Sequence, residues 1–75
     1  MTRAAAEKVI QGLLAASGTL NETVRLVQAE VPDTVFQDYR KRTAEVMGAI
    51  YLDLMKPIIR DYPDLDPGRQ EAADD

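Results

Sequence analysis

The stretch VFQDYRKRTAEVMGAIYLDLM, residues 35 to 55, decides the fold because it is a long helical pattern that nothing breaks before Pro57. Its first half is polar, whereas its second half carries apolar side chains in nearly every direction around a helical axis. A helix with one side in water does not tolerate apolar residues all round. We therefore predict one long helix over residues 34 to 56, whose second half is covered on both sides.

Two shorter helices are predicted before it. Apolar side chains between residues 3 and 17 recur in one helical stripe: Ala6, Val9, Ile10, Leu13 and Leu14. Thr2 can cap the start of this helix and Gly18 is suited to end it, and Thr19 with Glu22 has the spacing of a capping box for the next one. Pro32 stops this second helix, predicted over residues 20 to 31, because the residue before a proline disfavours the helical conformation.

The predicted fold is therefore an all-α, small three-helix domain, a helical hairpin followed by one long C-terminal helix. It occupies residues 1 to 62 as a single domain. Pro57 lacks an amide hydrogen, so we expect it to kink or end the long helix and to leave a short turn over residues 57 to 61. Residues 63 to 75 are acidic and rich in proline, which predicts a flexible tail. The segment PIIRDYPDL, residues 57 to 65, is interpreted as a strap that closes the base of the helices, with a docking segment for another protein as the alternative.

Composition argues against catalysis and against several classes of partner. The chain has no cysteine and no histidine, which removes thiolate chemistry and the commonest metal ligand and general base. Its carboxylates do not converge, so we predict no catalytic, cofactor or metal site. The net charge of -4 disfavours nucleic acid and anionic lipid. No apolar run approaches the ~20 residues of a membrane span, and we expect a bacterial-type cytoplasmic protein.

Association with a second copy is the main functional expectation. A three-helix core in a chain of 75 residues is marginal on its own. The apolar second half of the long helix offers the surface that a homodimer would bury. The predicted interface residues are Val46, Met47, Gly48, Ile50, Tyr51, Leu54, Met55 and Ile58. The sequence thus favours a non-catalytic, homodimeric protein-protein interaction module.

A small DNA-binding regulator is the first alternative. A helix pair followed by TVFQDYRKR, residues 34 to 42, resembles a bacterial helix-turn-helix, which implies a recognition helix at those residues. The candidate phosphate and base contacts are Arg25, Arg40, Lys41 and Arg42. Asp38 lies among them, however, and Asp38 with Arg42, or Lys41 with Glu45, has the spacing of an ion pair on a solvated helix face.

A ligand-binding helical bundle or an accessory enzyme subunit is the second alternative. Tyr39, Tyr51 and Tyr62 could line a small-molecule pocket, although tyrosines in such positions are usually core edges whose hydroxyl reaches water. Asp53 inside an apolar run could have a raised pKa and do acid-base chemistry, but far more often such a residue marks a solvated stripe, paired here with Lys56 one turn later. We name no site residues for this alternative.

Overall fold

The computed structural model describes residues 1 to 68, which form two helical arms joined by a tight turn. The first arm is helix α1, Arg3–Glu30. The second arm consists of α2, Asp33–Ala49, a π-helical segment, Ile50–Met55, and α3, Lys56–Asp61. A 3-10 turn, Pro63–Leu65, follows. The all-α expectation is confirmed, and no strand occurs within residues 1 to 68.

The break predicted at Gly18 is wrong, because α1 continues through it for 28 residues. Gly18 does not adopt a positive φ angle. The Thr19 hydroxyl does not cap a new helix; it donates to the carbonyl of Ala15 at 3.1 Å. Where two helices were predicted, one helix carries a continuous buried or half-buried stripe with alternating spacings of four and three, which ends at the C-cap residue Val31: Ala6, Ile10, Leu13, Ser17, Leu20, Val24, Val27 and Val31. We call this stripe the first seam.

The unbroken helix predicts that Gly18→Ala stabilises the chain by roughly 0.5 to 1 kcal/mol, the cost of glycine relative to alanine inside a helix. A methyl group at Gly18 would meet no atom within 4 Å. Urea unfolding followed by circular dichroism measures the difference. The reverse exchange at the exposed Ala15, Ala15→Gly, serves as the control and should lose a similar amount. A loss of stability in Gly18→Ala would show that the helix ends at this glycine.

The turn and the start of α1 follow the sequence signals. Thr2 caps α1, since its hydroxyl oxygen accepts from the amide of Ala5 at 3.1 Å. Val31 and Pro32 form the whole connection between the arms, so the first arm ends where Pro32 predicts a helix end. A hydrogen bond of 2.7 Å joins the hydroxyls of Thr23 and Tyr39 across the arms near this turn. The arms therefore run antiparallel and stay in contact.

The second arm passes Pro57 without ending. The amide of Lys56 bonds to the carbonyl of Tyr51, five residues back, so the turn before the proline is one residue wider than an α turn. Because a π turn holds an extra residue, the position facing α1 moves from Leu54 to Met55. Met55 is 3% exposed and Leu54 is 53% exposed. The turn predicted over residues 57 to 61 is instead helix α3, and the long helix is bent, which is common at π turns and prolines.

The core lies between the arms at their open end. It consists of Ala6 and Ile10 from α1 and of Met55, Ile58 and Ile59 from the second arm, with Leu13, Ile50, Tyr62 and Leu65 partly buried against it. Phe36 and Thr43 are buried separately, nearer the turn. Leu65 lies in the 3-10 turn, so the flexible tail predicted from residue 63 does not begin there. Residues 69 to 75, the remainder of that predicted tail, lie outside the described residues.

Candidate interaction surface

The predicted interface residues divide into an inward and an outward set. Met55 and Ile58 belong to the core of their own chain. Met47 and Ile50 are half-buried between the arms. The outward set is exposed: Val46 by 51%, Tyr51 by 38% and Leu54 by 53%, together with Gly48. The predicted surface is therefore narrower than the sequence indicated, and only its outward members are accessible to a partner.

Val46 and Leu54 lie on the same side of the hairpin as a row on α1. Residues seven apart in a helix are almost two full turns apart and share a side. Tyr39 and Val46 have this spacing. Leu54 follows Val46 by eight residues, and it lies in the same row because the π turn between them holds one extra residue. On α1 the same spacing joins three residues: Val9, Ala16 and Thr23. The hydrogen bond between Thr23 and Tyr39 places the two rows on one face, which we call the open face.

The opposite face carries the end of the strap, residues 62 to 65, which packs against the core as predicted. Leu65 packs against the core, and the Tyr62 hydroxyl donates to the carbonyl of Met1 at 2.7 Å. Arg3 donates through both terminal nitrogens to the carboxylate of Asp64, with Nη1 at 3.1 Å from Oδ1. These hydrogen bonds, with the charge of Asp64, raise the pKa of the Arg3 guanidinium. Arg3 also pairs with Glu7, at 3.3 Å, so ion pairs within the chain hold the strap against the start of α1.

A cleft of about 350 Å³ lies between α1 and the strap. Its lining comprises Arg3, Glu7, Ile10, Gln11, Leu14, Asp64, Leu65 and Pro67. The volume is at the lower end of the range for small-molecule sites, roughly 300 to 1,000 Å³. The charged groups on its rim already pair with one another, and within residues 1 to 68 no buried side-chain polar atom lacks a hydrogen-bond partner. The charged side chains that line the cleft are therefore already engaged with one another.

The basic cluster of the DNA-binding alternative is partly neutralised. Arg42 pairs with Asp38 at 2.9 Å, as the spacing predicted, and this hydrogen bond raises the pKa of Arg42. Arg25 pairs with Glu22 at 3.3 Å. Arg40 and Lys41 are exposed beside them. The other predicted pairs, Lys41 with Glu45 and Asp53 with Lys56, are not formed within residues 1 to 68.

The geometry of the arms also differs from a helix-turn-helix. In that motif two helices meet at roughly 90 to 120° and contact each other mainly near the turn. Here the arms stay together from Thr23 and Tyr39, near the turn, to Arg3 and Asp64 at the open end. Residues 34 to 42 lie within this long antiparallel contact. The resemblance in sequence therefore does not extend to the arrangement of the helices.

Residues 1 to 68 contain no group of three or more acidic, histidine or cysteine side chains placed to hold a metal ion. No helix among them is long and apolar enough to cross a membrane. Comparison of the chain with protein-family models, with curated proteins and with solved structures found no match.

Proposed function

We propose that this chain is a small non-catalytic helical module that acts in a bacterial-type cytoplasm as a homodimer, with a second copy covering the open face. The observation that supports this most is the exposure of large apolar side chains there: Val9 by 39%, Val46 by 51% and Leu54 by 53%. An apolar surface shared by two helices is a common mark of a protein-protein contact.

The thinness of the hairpin supports the same proposal. The Cα positions extend 45 by 29 by 16 Å, so the arms form a single layer. Stable domains are usually built from two or more packed layers. The Cα radius of gyration is 14.8 Å, compared with ~11 Å for a compact chain of this length. A second copy would supply the missing layer and produce a four-helix bundle.

The mass in solution tests the proposal. At micromolar concentration, light scattering behind a sizing column should give twice the chain mass of 8.3 kDa. A dilution series should then return the mass towards 8.3 kDa, which separates specific dimerisation from aggregation. A single species of 8.3 kDa throughout the micromolar range would contradict the homodimer.

A further inference from the structure

Helix α1 carries a second row of positions along the side that belongs to the open face. These positions are also spaced by three and four: Ala5, Val9, Gly12, Ala16, Thr19, Thr23 and Leu26. We call them the second seam. None of them is charged, whereas the charged residues within the same span lie on other sides of α1: Glu7, Lys8, Glu22 and Arg25. The second seam includes large exposed apolar groups, with Leu26 at 66% and Val9 at 39% exposure.

Two seams on one helix indicate two helical neighbours. Alternating spacings of three and four keep the same side of a helix against a straight partner along its whole length. The first seam faces the second arm of the same chain. The strap ends on the other face of the hairpin, so within residues 1 to 68 the contact of Thr23 with Tyr39 is the one hydrogen bond from the second seam to the second arm. The neighbour it fits is therefore another helix of similar length.

The order of side-chain sizes along the second seam suits an antiparallel copy of itself. Ala16 is the middle position. Reversing the row about Ala16 places Leu26 beside Ala5, and Thr19 beside Gly12. Leu26 and Thr19 then each meet a smaller side chain, and Val9 meets Thr23, which is of similar size, so the row packs closely on its reversed copy. A parallel copy would place Leu26 against Leu26 and leave a gap where Gly12 meets Gly12.

The size and charge of the open face fit a second copy. Two helices side by side are roughly 20 Å wide. Over the 45 Å length of the hairpin this gives a face of about 900 Å², compared with ~800 Å² per partner in a standard stable interface. Each chain carries a net charge of -4, so two copies can approach closely only through surfaces without like charges. The second seam meets that condition.

We propose that α1 of a second copy lies antiparallel along the second seam, with Ala16 of one chain facing Ala16 of the other. This inference rests on the homodimer proposed above and specifies its geometry. The second arms then pack on each other through Val46 and Leu54, on the same face. Tyr51 and Gly48, which the sequence placed in the interface, remain outside this contact.

A single charge at the midpoint tests this arrangement. Ala16→Glu should weaken dimerisation by at least about 100-fold, because two unpaired carboxylates would be buried against each other. Ala15→Glu is the matched control, since Ala15 is also exposed but lies off the second seam. It should change the dimer dissociation constant by less than about threefold. Sedimentation velocity over a dilution series measures both, and circular dichroism checks that each variant is folded.

A charge-swap experiment tests the antiparallel contact itself. Ala16→Lys should also be monomeric, and mixing it with Ala16→Glu should restore a dimer containing one chain of each. If the mixture does not associate, the two Ala16 residues do not face each other in the dimer. Dimers of equal strength in Ala16→Glu and Ala15→Glu would overturn the second seam as the interface while leaving the homodimer standing. A wild-type mass of 8.3 kDa would overturn both proposals and leave a different protein or a lipid surface as the occupant.

Discussion

Met55→Ala should destabilise the chain by about 2 to 5 kcal/mol, the usual cost of truncating a buried methionine or leucine to alanine. Leu54→Ala, one residue earlier, should cost less than about 1 kcal/mol in the monomer. The difference follows from the π turn, which buries Met55 to 3% exposure and leaves Leu54 at 53%. A chain this small has a stability of only roughly 4 to 11 kcal/mol, so Met55→Ala should lose much of it.

Leu54 also lies on the open face, so association must be removed before the two costs are compared. Both substitutions are therefore made in the Ala16→Glu background, and urea unfolding is followed by circular dichroism. In a regular α-helix the residue four after Ile50 would face α1, and Leu54 would then be the costlier position. Equal costs, or a larger cost for Leu54→Ala, would show that the wide turn is absent in solution.

Local signals at the ends of the elements predicted the boundaries well. Thr2 caps α1, and Pro32 separates the two arms where the sequence placed the boundary. The Thr2 side chain binds a backbone amide that is free at the start of the helix, and Pro32 restricts the backbone of the residue before it. Both effects are local, so no distant contact is needed to predict them. The strap was also predicted, since an apolar turn beside a small core usually completes it.

The same kind of signal failed at Gly18 and Thr19. A glycine inside a helix costs only about 1 kcal/mol, which continued packing of the helix can exceed. The continuity of the helix depends on the register of the apolar stripes on the two sides of Gly18. Leu13 and Leu20 are seven apart, so the stripe before Gly18 and the stripe after it lie on the same side of one helix. Taken separately, the two stripes predict two helices, whereas their shared register predicts one.

The π turn explains why residues 46 to 55 looked apolar on every side. On a regular α-helical wheel, the inward positions before the wide turn and those after it do not line up. Ile50 and Met55 are five apart, and that spacing fits one side only if a π turn lies between them. This change of register explains part of the apparent spread of apolar side chains around the helix axis. Sequence periodicity assumes a constant residue number per turn, so it could not show the change.

The sequence predicts an interface on one arm, whereas the open face that we propose as the interface spans both arms. The outward members Val46 and Leu54 were among the predicted interface residues, whereas Met55 and Ile58 serve their own core. The α1 row was missed because apolar stripes were sought, and alanine, glycine and threonine are weak apolar signals. The available signal was the absence of charge on one side of α1 from Ala5 to Leu26.

Deleting Leu52 should leave the fold intact, whereas deleting Ala15 should abolish cooperative folding. Both residues are exposed, Leu52 by 57%, so the expected difference comes from register. A π turn is an α turn with one residue inserted. Removing Leu52 lets the segment relax to an α-helix in which Met55, Ile58 and Ile59 still face α1. The expected loss is within about 2 kcal/mol, that of an ordinary substitution.

Helix α1 contains no π turn near Ala15 that could compensate for the deletion of this residue. Every residue on one side of the deletion rotates by about 100° relative to the other side, because each residue advances an α-helix by that angle. The first seam is then split between Leu13 and Ser17, and either Ile10 or Val24 must leave the contact with the second arm. Thermal unfolding followed by circular dichroism should show a cooperative transition for the Leu52 deletion and none for the Ala15 deletion. If both deletions unfold alike, the wide turn at Ile50–Met55 is not what sets the register of the second arm.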